Sequence, residues 1–139
     1  GNLSGFIQIA GDDLSDKTFH YLEKDPFLMT YQKTQIERLQ NGNNVQVRFA
    51  RQDVREFLKK TVVKFDVICL DKPEPFTLED NRYYTREFYR ILRAHLTTEG
   101  ILAFSVRSSE NYINPLLARY LNLLRNTLGE VFLEIFNLL

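Results

Sequence analysis

The run FDVICL, residues Phe65–Leu70, constrains the fold most strongly, because all but one of its residues are apolar. A run this short and this apolar is typical of a strand buried on both faces of a parallel sheet. It leads directly into Asp71 and then into a turn in which prolines flank Glu74. The sequence therefore places two carboxylates just beyond the carboxyl end of its most apolar predicted strand.

Short strand-like runs alternate with helical periods along the rest of the chain, which predicts an α/β sheet with helical crossovers. Asp80 or Asn81 is expected to cap a helix that begins near Tyr83. With 139 residues and no repeat or linker, the chain is expected to form one domain, residues 1–139. The predicted strands cover residues 18–23, 45–49, 65–70, 101–106 and 131–136, and the predicted helices cover residues 27–40, 53–60, 83–96 and 115–128.

Composition excludes several classes of partner. The 18 basic and 18 acidic side chains balance, so we expect no nucleic-acid partner. No apolar run approaches the roughly 20 residues of a membrane helix, so we expect no direct membrane contact by this segment. The single cysteine, Cys69, lies in the apolar run and is expected in the core. Because it has no internal disulfide partner, it fits a cytoplasmic location, including that of a domain carried by a membrane-anchored parent.

Carboxylates follow three of the predicted strands. Glu23 ends the first strand, Asp53 comes shortly after the second, and Asp71 follows the third. Ligands of open parallel sheets bind beyond the carboxyl ends of the strands, so we expect these side chains near one edge of the sheet. Each has a structural alternative, since Glu23 can be a solvated strand end, Asp53 a helix cap and Asp71 a turn residue.

The order of these acids suggests a chemistry. A carboxylate in the position of Glu23 can accept hydrogen bonds from both ribose hydroxyls of a nucleoside, and Asp53 can accept one from an adenine amino group. Asp71, with Glu74 beside it, can hold an amine and take its proton. A primary amine is protonated near neutral pH and becomes a nucleophile only after a positioned base removes that proton. We expect no metal site, because neither histidine has ligand partners nearby in the sequence.

Five stretches resemble the spermidine synthase family of aminopropyltransferases, in that family's order and spacing, and most of all its divergent bacterial members. The resemblance implies a doubly wound, Rossmann-like sheet of the methyltransferase type. It also implies decarboxylated S-adenosylmethionine as the cofactor and a polyamine such as putrescine as the acceptor. The stretches are YLEKDP (Tyr21–Pro26), DVREFL (Asp53–Leu58), DVICLDKPEP (Asp66–Pro75), NRYYTREFY (Asn81–Tyr89) and EGILAFS (Glu99–Ser105).

The same resemblance assigns a role to each matching position. The assigned roles are a ribose-binding acid, an acid that reads the adenine amine, a catalytic carboxylate, an acid that helps to hold the acceptor amine, and an aromatic wall. The residues at these positions are Glu23, Asp53, Asp71, Glu74, and the pair Tyr83 and Tyr84, in that order.

The first residues carry a weaker part of the resemblance. GNLSG, with Gly1 and Gly5 as cofactor-binding glycines, is similar to the end of the family's glycine-rich loop, and residues 6–12 then form a helix. A rival alignment makes FIQIAG, residues 6–11, the first strand. In the former alignment Leu3 replaces the acid that holds the aminopropyl amine, so S-adenosylmethionine stays open as the cofactor.

That alignment also implies a sheet truncated at its first strand and at its C-terminal end. Because unpaired strand edges are costly, we expect a compensation: a strand from another copy, a rearranged sheet, or residues outside this sequence. We therefore expect a homo-oligomer. Three functions remain open from the sequence: an aminopropyltransferase, an S-adenosylmethionine-dependent methyltransferase on the same sheet, and a non-catalytic module that keeps the fold.

Overall fold

A computed structural model of the chain describes residues 17–39, 46–70, 77–106 and 115–136. The chain divides into two compact units, unit 1 (residues 1–61) and unit 2 (residues 62–139). Unit 1 contains β1 (Thr18–Leu22), α1 (Pro26–Leu39), β2 (Gln46–Ala50) and α2 (Val54–Lys60). Unit 2 contains β3 (Phe65–Leu70), α3 (Leu78–Asn81), α4 (Arg86–His95), β4 (Leu96–Phe104) and α5 (Pro115–Gly129).

The strands pair two by two and in parallel, β1 with β2 and β3 with β4. The mixed α/β class predicted from the sequence is therefore confirmed. Most predicted elements lie within a few residues of the observed ones, and β3 has the predicted bounds. A doubly wound sheet and a single domain stay predictions, because two separate strand pairs establish neither of them.

Unit 1 has a helix on each face of its strand pair. Ile36 of α1 is 1% exposed and packs against Phe19 and Phe49. On the other face, the ring of His20 lies 5.8 Å from that of Phe57 in α2. Successive side chains of a strand point to opposite faces, so the two helices cover the β1–β2 pair from both sides. This is the local arrangement typical of parallel α/β sheets.

Asp25 starts α1, a role that the sequence pattern DP signals. Its Oδ1 accepts hydrogen bonds from the backbone N–H groups of Phe27 at 2.7 Å and Leu28 at 3.2 Å. Pro26 occupies the first helical position, where the missing N–H costs nothing. The helix predicted from residue 27 therefore begins one residue earlier, at Pro26, three residues after Glu23.

The β3–β4 pair in unit 2 contains an irregularity that the sequence did not predict. Phe65 pairs with Leu96, but Val67 pairs with Ile101, so β4 carries three extra residues between these two pairs. β4 consequently begins at Leu96, five residues before its predicted start at residue 101. Because no loop separates α4 from β4, the three extra residues lie within β4.

Replacing Gly100 in this irregular segment is expected to destabilise unit 2. A Cβ at this position would lie 2.9 Å from the Cβ of Leu96 and 3.0 Å from the carbonyl oxygen of Phe65, closer than van der Waals contact allows. We expect Gly100→Ala to lower the free energy of unfolding by about 1–3 kcal/mol, measured by urea denaturation. Gly129→Ala is the matched control, since its nearest atom is 4.0 Å away. Equal losses in the two variants would contradict this account.

α4 begins at a different cap from the one predicted. The hydroxyl of Thr85 accepts a hydrogen bond from the Phe88 backbone N–H at 3.2 Å, so α4 starts at Arg86. Asp80, one of the two expected caps, instead lies within the short helix α3, which Thr77 caps. The helix predicted over residues 83–96 is therefore confirmed, but its predicted cap and start were wrong, because Thr85 is also favourable at an N-cap.

The β3–β4 pair is buried on one face within the described residues. On that face, Tyr89 of α4 stacks on Phe104 with their rings 6.4 Å apart. On the other face, Val67 is 46% exposed, Ile101 is 60% exposed and Cys69 is exposed. The expectation that β3 is buried on both faces, with Cys69 in the core, was therefore wrong for the part of the chain that the structure describes.

The strand predicted over residues 131–136 is absent from the described residues there. The backbone N–H groups of Val131 and Phe132 both donate to the carbonyl oxygen of Leu128, at 2.9 and 2.8 Å. These bonds complete the end of α5 instead of a strand ladder. Leu133 is fully exposed, so the apolar residues of this segment do not face a sheet.

Candidate functional site

The carboxyl ends of β1 and β2 are joined at one backbone oxygen. The carbonyl of Ala50 accepts hydrogen bonds from the backbone N–H of Glu23 at 3.2 Å and from that of Gln52 at 3.1 Å. Asp53 follows Gln52 directly and caps α2. Glu23 and Asp53, predicted to act on one nucleoside, are therefore brought to the same end of the strand pair in unit 1.

The Glu23 carboxylate is fixed through one of its oxygens. Its Oε1 accepts a hydrogen bond from the Asp25 backbone N–H at 3.0 Å, and no other described residue contacts the carboxylate by a hydrogen bond or ion pair. The side chain is half-buried. An ionised carboxylate accepts on both oxygens, and two adjacent ribose hydroxyls are two donors. The geometry thus suits a diol ligand whose hydroxyls reach the second oxygen.

Asp53 is buried and works as a helix cap. Asp53 is 9% exposed, and its Oδ1 accepts a hydrogen bond from the backbone N–H of Arg55 at 2.8 Å. Its carbonyl accepts from the Phe57 backbone N–H at 3.0 Å. The capping alternative for Asp53 is therefore confirmed, while its contact with an adenine amine stays a prediction.

Tyr83 and Tyr84, the predicted aromatic wall, lie in unit 2 and differ in exposure. Tyr83 is 5% exposed, and its hydroxyl accepts a hydrogen bond from Nη2 of Arg82 at 2.6 Å. Its ring meets that of Phe88 edge-on, with centroids 5.5 Å apart. Tyr83 therefore fills the core of unit 2, whereas Tyr84 is half-buried and is the more accessible of the two. Contact of either ring with a substrate stays a prediction.

Tyr89 is a buried polar residue that the sequence reading did not single out. Its side chain is fully buried, and no described residue hydrogen-bonds its hydroxyl. Burial, together with the neighbouring hydroxyls of Tyr120 and Tyr84, raises the pKa of Tyr89 well above its ordinary value. The ring stacks on Phe104, the last residue of β4. A hydroxyl on an otherwise apolar helix face was the available signal in the sequence.

Four predicted site residues, Gly1, Gly5, Asp71 and Glu74, lie outside the described residues, as do both alignments of residues 6–12. The strand that leads to Asp71 is described, and its last residue, Leu70, is 7% exposed. The catalytic role of Asp71, the amine-holding role of Glu74 and the cofactor contact of the two glycines stay predictions.

His20, in β1, lies on the α2 face of unit 1. It pairs with Arg48 across the two strands, and its ring contacts Phe57. Partial burial, and secondly the charge of Arg48, lower the pKa of His20 below its ordinary value of 6.5. Protonation of His20 is therefore less favourable in the folded state than in the unfolded chain.

Unit 1 is accordingly expected to lose stability as the pH falls below 6.5, the value for the unfolded chain. Between that value and the lowered folded pKa, the unfolded chain binds more protons than the folded chain, so stability rises with pH. His20→Gln removes this contribution. The check is the urea midpoint between about pH 8 and about pH 5. An unchanged slope in His20→Gln would contradict the prediction.

Two kinds of feature are missing from the part of the chain that the structure describes. No three His, Cys, Asp or Glu side chains are grouped so that they could hold a metal ion. No helix in the described ranges has the length and apolar character needed to cross a membrane.

Comparison with known proteins identifies similar sequences. The spermine/spermidine synthase domain matches residues 15–133. A polyamine aminopropyltransferase of Oceanobacillus iheyensis is 29% identical over 96 residues, which cover 69% of this chain and 16% of that protein. One of Nitrosomonas europaea is 38% identical over 79 residues, covering 57% of this chain and 24% of that protein. Polyamine aminopropyltransferase 2 of Aquifex aeolicus is 30% identical over 86 residues, covering 59% and 17%. The matches span at most 24% of these curated relatives.

Proposed function

Because the chain belongs to the spermine/spermidine synthase family, we propose that it is the catalytic domain of a polyamine aminopropyltransferase. The reaction moves an aminopropyl group from decarboxylated S-adenosylmethionine to a polyamine acceptor. The observation that carries this proposal is the carboxylate of Glu23 at the end of β1, held through one oxygen by Asp25. The names of the three similar proteins agree with the same class of reaction.

Glu23 binds the ribose in this proposal. Its second oxygen, which has no partner among the described residues, accepts the hydrogen bonds of the ribose hydroxyls. Hydrogen bonds to a charged group contribute about 1.5–3 kcal/mol each, so this contact supplies a large share of the nucleoside affinity. Asp53 caps the start of α2. Its carboxylate also accepts a hydrogen bond from the amino group of the base. The two carboxylates also balance the positive charge of a sulfonium donor.

Asp71 acts on the acceptor amine. It accepts the proton of the protonated amine, and the freed nitrogen lone pair then forms the new carbon–nitrogen bond. The bound sulfonium donor supplies the activated carbon–sulfur bond, whose electron pair stays on sulfur as methylthioadenosine leaves. Glu74 holds the acceptor by its charge, and the half-buried ring of Tyr84 favours a cationic chain beside it. Orientation by these groups lowers the barrier further.

The fold that accompanies this function is a doubly wound, Rossmann-like sheet of the methyltransferase type. Two observations support it: both strand pairs are parallel, and the β1–β2 pair has a helix on each face. Parallel strands buried between helices are the arrangement in which nucleosides bind at strand ends.

Ligand-induced thermal stabilisation tests the proposed function. Methylthioadenosine, S-adenosylhomocysteine and putrescine are added separately to the chain, and the melting temperature is measured. A ligand at 100 times its Kd stabilises the folded state by about 2.7 kcal/mol, which is readily detected. We expect stabilisation by methylthioadenosine and by putrescine. Stabilisation by S-adenosylhomocysteine alone would favour a methyltransferase, and stabilisation by none would favour a non-catalytic module.

A further inference from the structure

The solvent-facing side of α1 carries two aromatic rings. One side of this helix faces the core of unit 1, where Met29 is 6% exposed and Ile36 is 1% exposed. At 3.6 residues per turn, four exposed residues on the opposite side fall within about 60° of arc. These residues, which form the α1 stripe, are Phe27, Tyr31, Thr34 and Arg38. Phe27 is 84% exposed and Tyr31 is 58% exposed, so the stripe presents both of its rings to solvent.

The two rings form one continuous apolar surface. Single exposed apolar residues are ordinary on a protein surface, whereas contiguous ones mark contact sites. Phe27 and Tyr31 are four residues apart, so their side chains are neighbours on the helix. Leu28, which is 51% exposed, extends the apolar surface on one flank. The stripe therefore has the character of a contact surface.

The order of residues along the α1 stripe is complementary to itself in an antiparallel helix pair. The midpoint of the stripe lies between Tyr31 and Thr34. A two-fold axis at this point sets Phe27 of each copy against Arg38 of the other, and Tyr31 against Thr34. A guanidinium over an aromatic ring makes a favourable cation–π contact. A parallel pair would instead bring the two Arg38 charges together, so the charge pattern favours the antiparallel pair of two copies.

The size of the α1 stripe indicates how strongly two copies would associate. If each of the four rings in such a pair buries the area typical of an aromatic side chain, the rings bury about 600–1,000 Å² together. Stable protein–protein interfaces bury about 1,200–2,000 Å². The association through this surface is therefore reversible and depends on protein concentration.

We propose that two copies of the chain associate through the α1 stripe as an antiparallel, two-fold symmetric helix pair. Both copies use the same surface, as in most homodimers. The proposal gives the homo-oligomer expected from the sequence a specific interface. It does not depend on the nucleoside-binding function proposed above, because no residue of the stripe has a role in that function.

Sedimentation velocity over a series of protein concentrations tests the interface. We expect the wild type to shift from monomer to dimer as the concentration rises. Phe27→Arg places a second positive charge against Arg38 and should weaken the association about tenfold or more. Arg38→Glu alone removes the cation and should also weaken it. The double variant, Phe27→Arg with Arg38→Glu, should restore the dimer through an ion pair between the copies. Positions 27 and 38 are about 16 Å apart along one helix, so this rescue requires contact between two copies.

A control substitution separates the α1 stripe from other exposed apolar residues. Leu116→Arg changes a side chain of α5 that is 77% exposed, and this variant should dimerise as the wild type does. The melting temperature of each variant verifies that the monomer folds. A wild type that stays monomeric at every concentration would overturn the proposal and leave the stripe to a different partner. A dimer that Phe27→Arg leaves intact, or that the double variant does not restore, would overturn it as well.

Discussion

Asp71→Asn is expected to lower the rate of aminopropyl transfer by about 10²–10⁴-fold and to leave the affinity for methylthioadenosine nearly unchanged. Asparagine is close in size to aspartate but cannot take a proton from the attacking amine. The loss should therefore appear in kcat more than in the KM for the donor, because the nucleoside is bound by residues of other strands. Initial rates and equilibrium binding of methylthioadenosine measure the two effects separately.

Asp66→Asn is the matched control for this prediction. Asp66 lies on β3, the strand that precedes Asp71 in the sequence, is exposed, and accepts a hydrogen bond from the Thr97 hydroxyl at 3.2 Å, which asparagine can also accept. Its rate should equal that of the wild type. A turnover that Asp71→Asn leaves intact would remove Asp71 from the mechanism. A large loss in both variants would instead indicate damage to β3.

Glu23→Gln is expected to weaken the binding of methylthioadenosine by about 10- to 100-fold. The estimate follows from about 1.5–3 kcal/mol for hydrogen bonds to a charged group, most of which a neutral amide does not supply. Glutamine retains an oxygen that can accept from the Asp25 N–H, so the turn before α1 should stay intact. Isothermal titration measures the loss, and an unchanged melting temperature without ligand shows that the fold is kept.

A 2′-deoxy analogue and a control substitution complete the Glu23 test. The wild type should bind the 2′-deoxy analogue of methylthioadenosine more weakly than methylthioadenosine, and Glu23→Gln should show a much smaller difference between the two. Glu37→Gln, an exposed glutamate on α1, should behave as the wild type. If Glu23→Gln keeps the full preference for the ribose hydroxyl, the carboxylate does not bind the ribose.

The elements that the sequence predicted well are those with strong local signals. β3 is an apolar run bounded by polar residues, and α5 begins at a proline and ends at Gly129, so both lie close to their predicted bounds. The start of α4 was missed because Asp80 and Thr85 both suit an N-cap, and the local sequence does not rank them. Which residue becomes the N-cap depends on the tertiary contacts of the helix that follows it.

The wrong predictions in unit 2 concern strand pairing, which depends on contacts between residues far apart in the sequence. The extra residues between Leu96 and Ile101 in β4 depend on the register with β3, and Gly100 was the one local hint. The apolar residues 131–136 satisfied the pattern of a strand, yet Leu133 is exposed and no strand of the described residues pairs with this segment. An apolar pattern alone therefore shows only that a segment could form a strand. Whether it does depends on a neighbouring strand with which it can pair.

The candidate site, too, could be predicted from the sequence only in part. Position after a strand was sufficient to select Glu23 and Asp53, because the carboxyl ends of parallel strands meet at one edge. The sequence did not show that Asp25 fixes Glu23 or that the Ala50 carbonyl joins both strand ends, since these are contacts of the folded backbone. Nor did it show that Tyr83 is buried against Arg82 and Phe88.

Product analysis tests most directly whether these carboxylates serve aminopropyl transfer. The protein is incubated with decarboxylated S-adenosylmethionine and putrescine, and the products are quantified by mass spectrometry. The account predicts methylthioadenosine and an aminopropylated amine in equal amounts, with both lost in Asp71→Asn. Methylated amine and S-adenosylhomocysteine formed from S-adenosylmethionine, with no aminopropyl product from the decarboxylated donor, would contradict it.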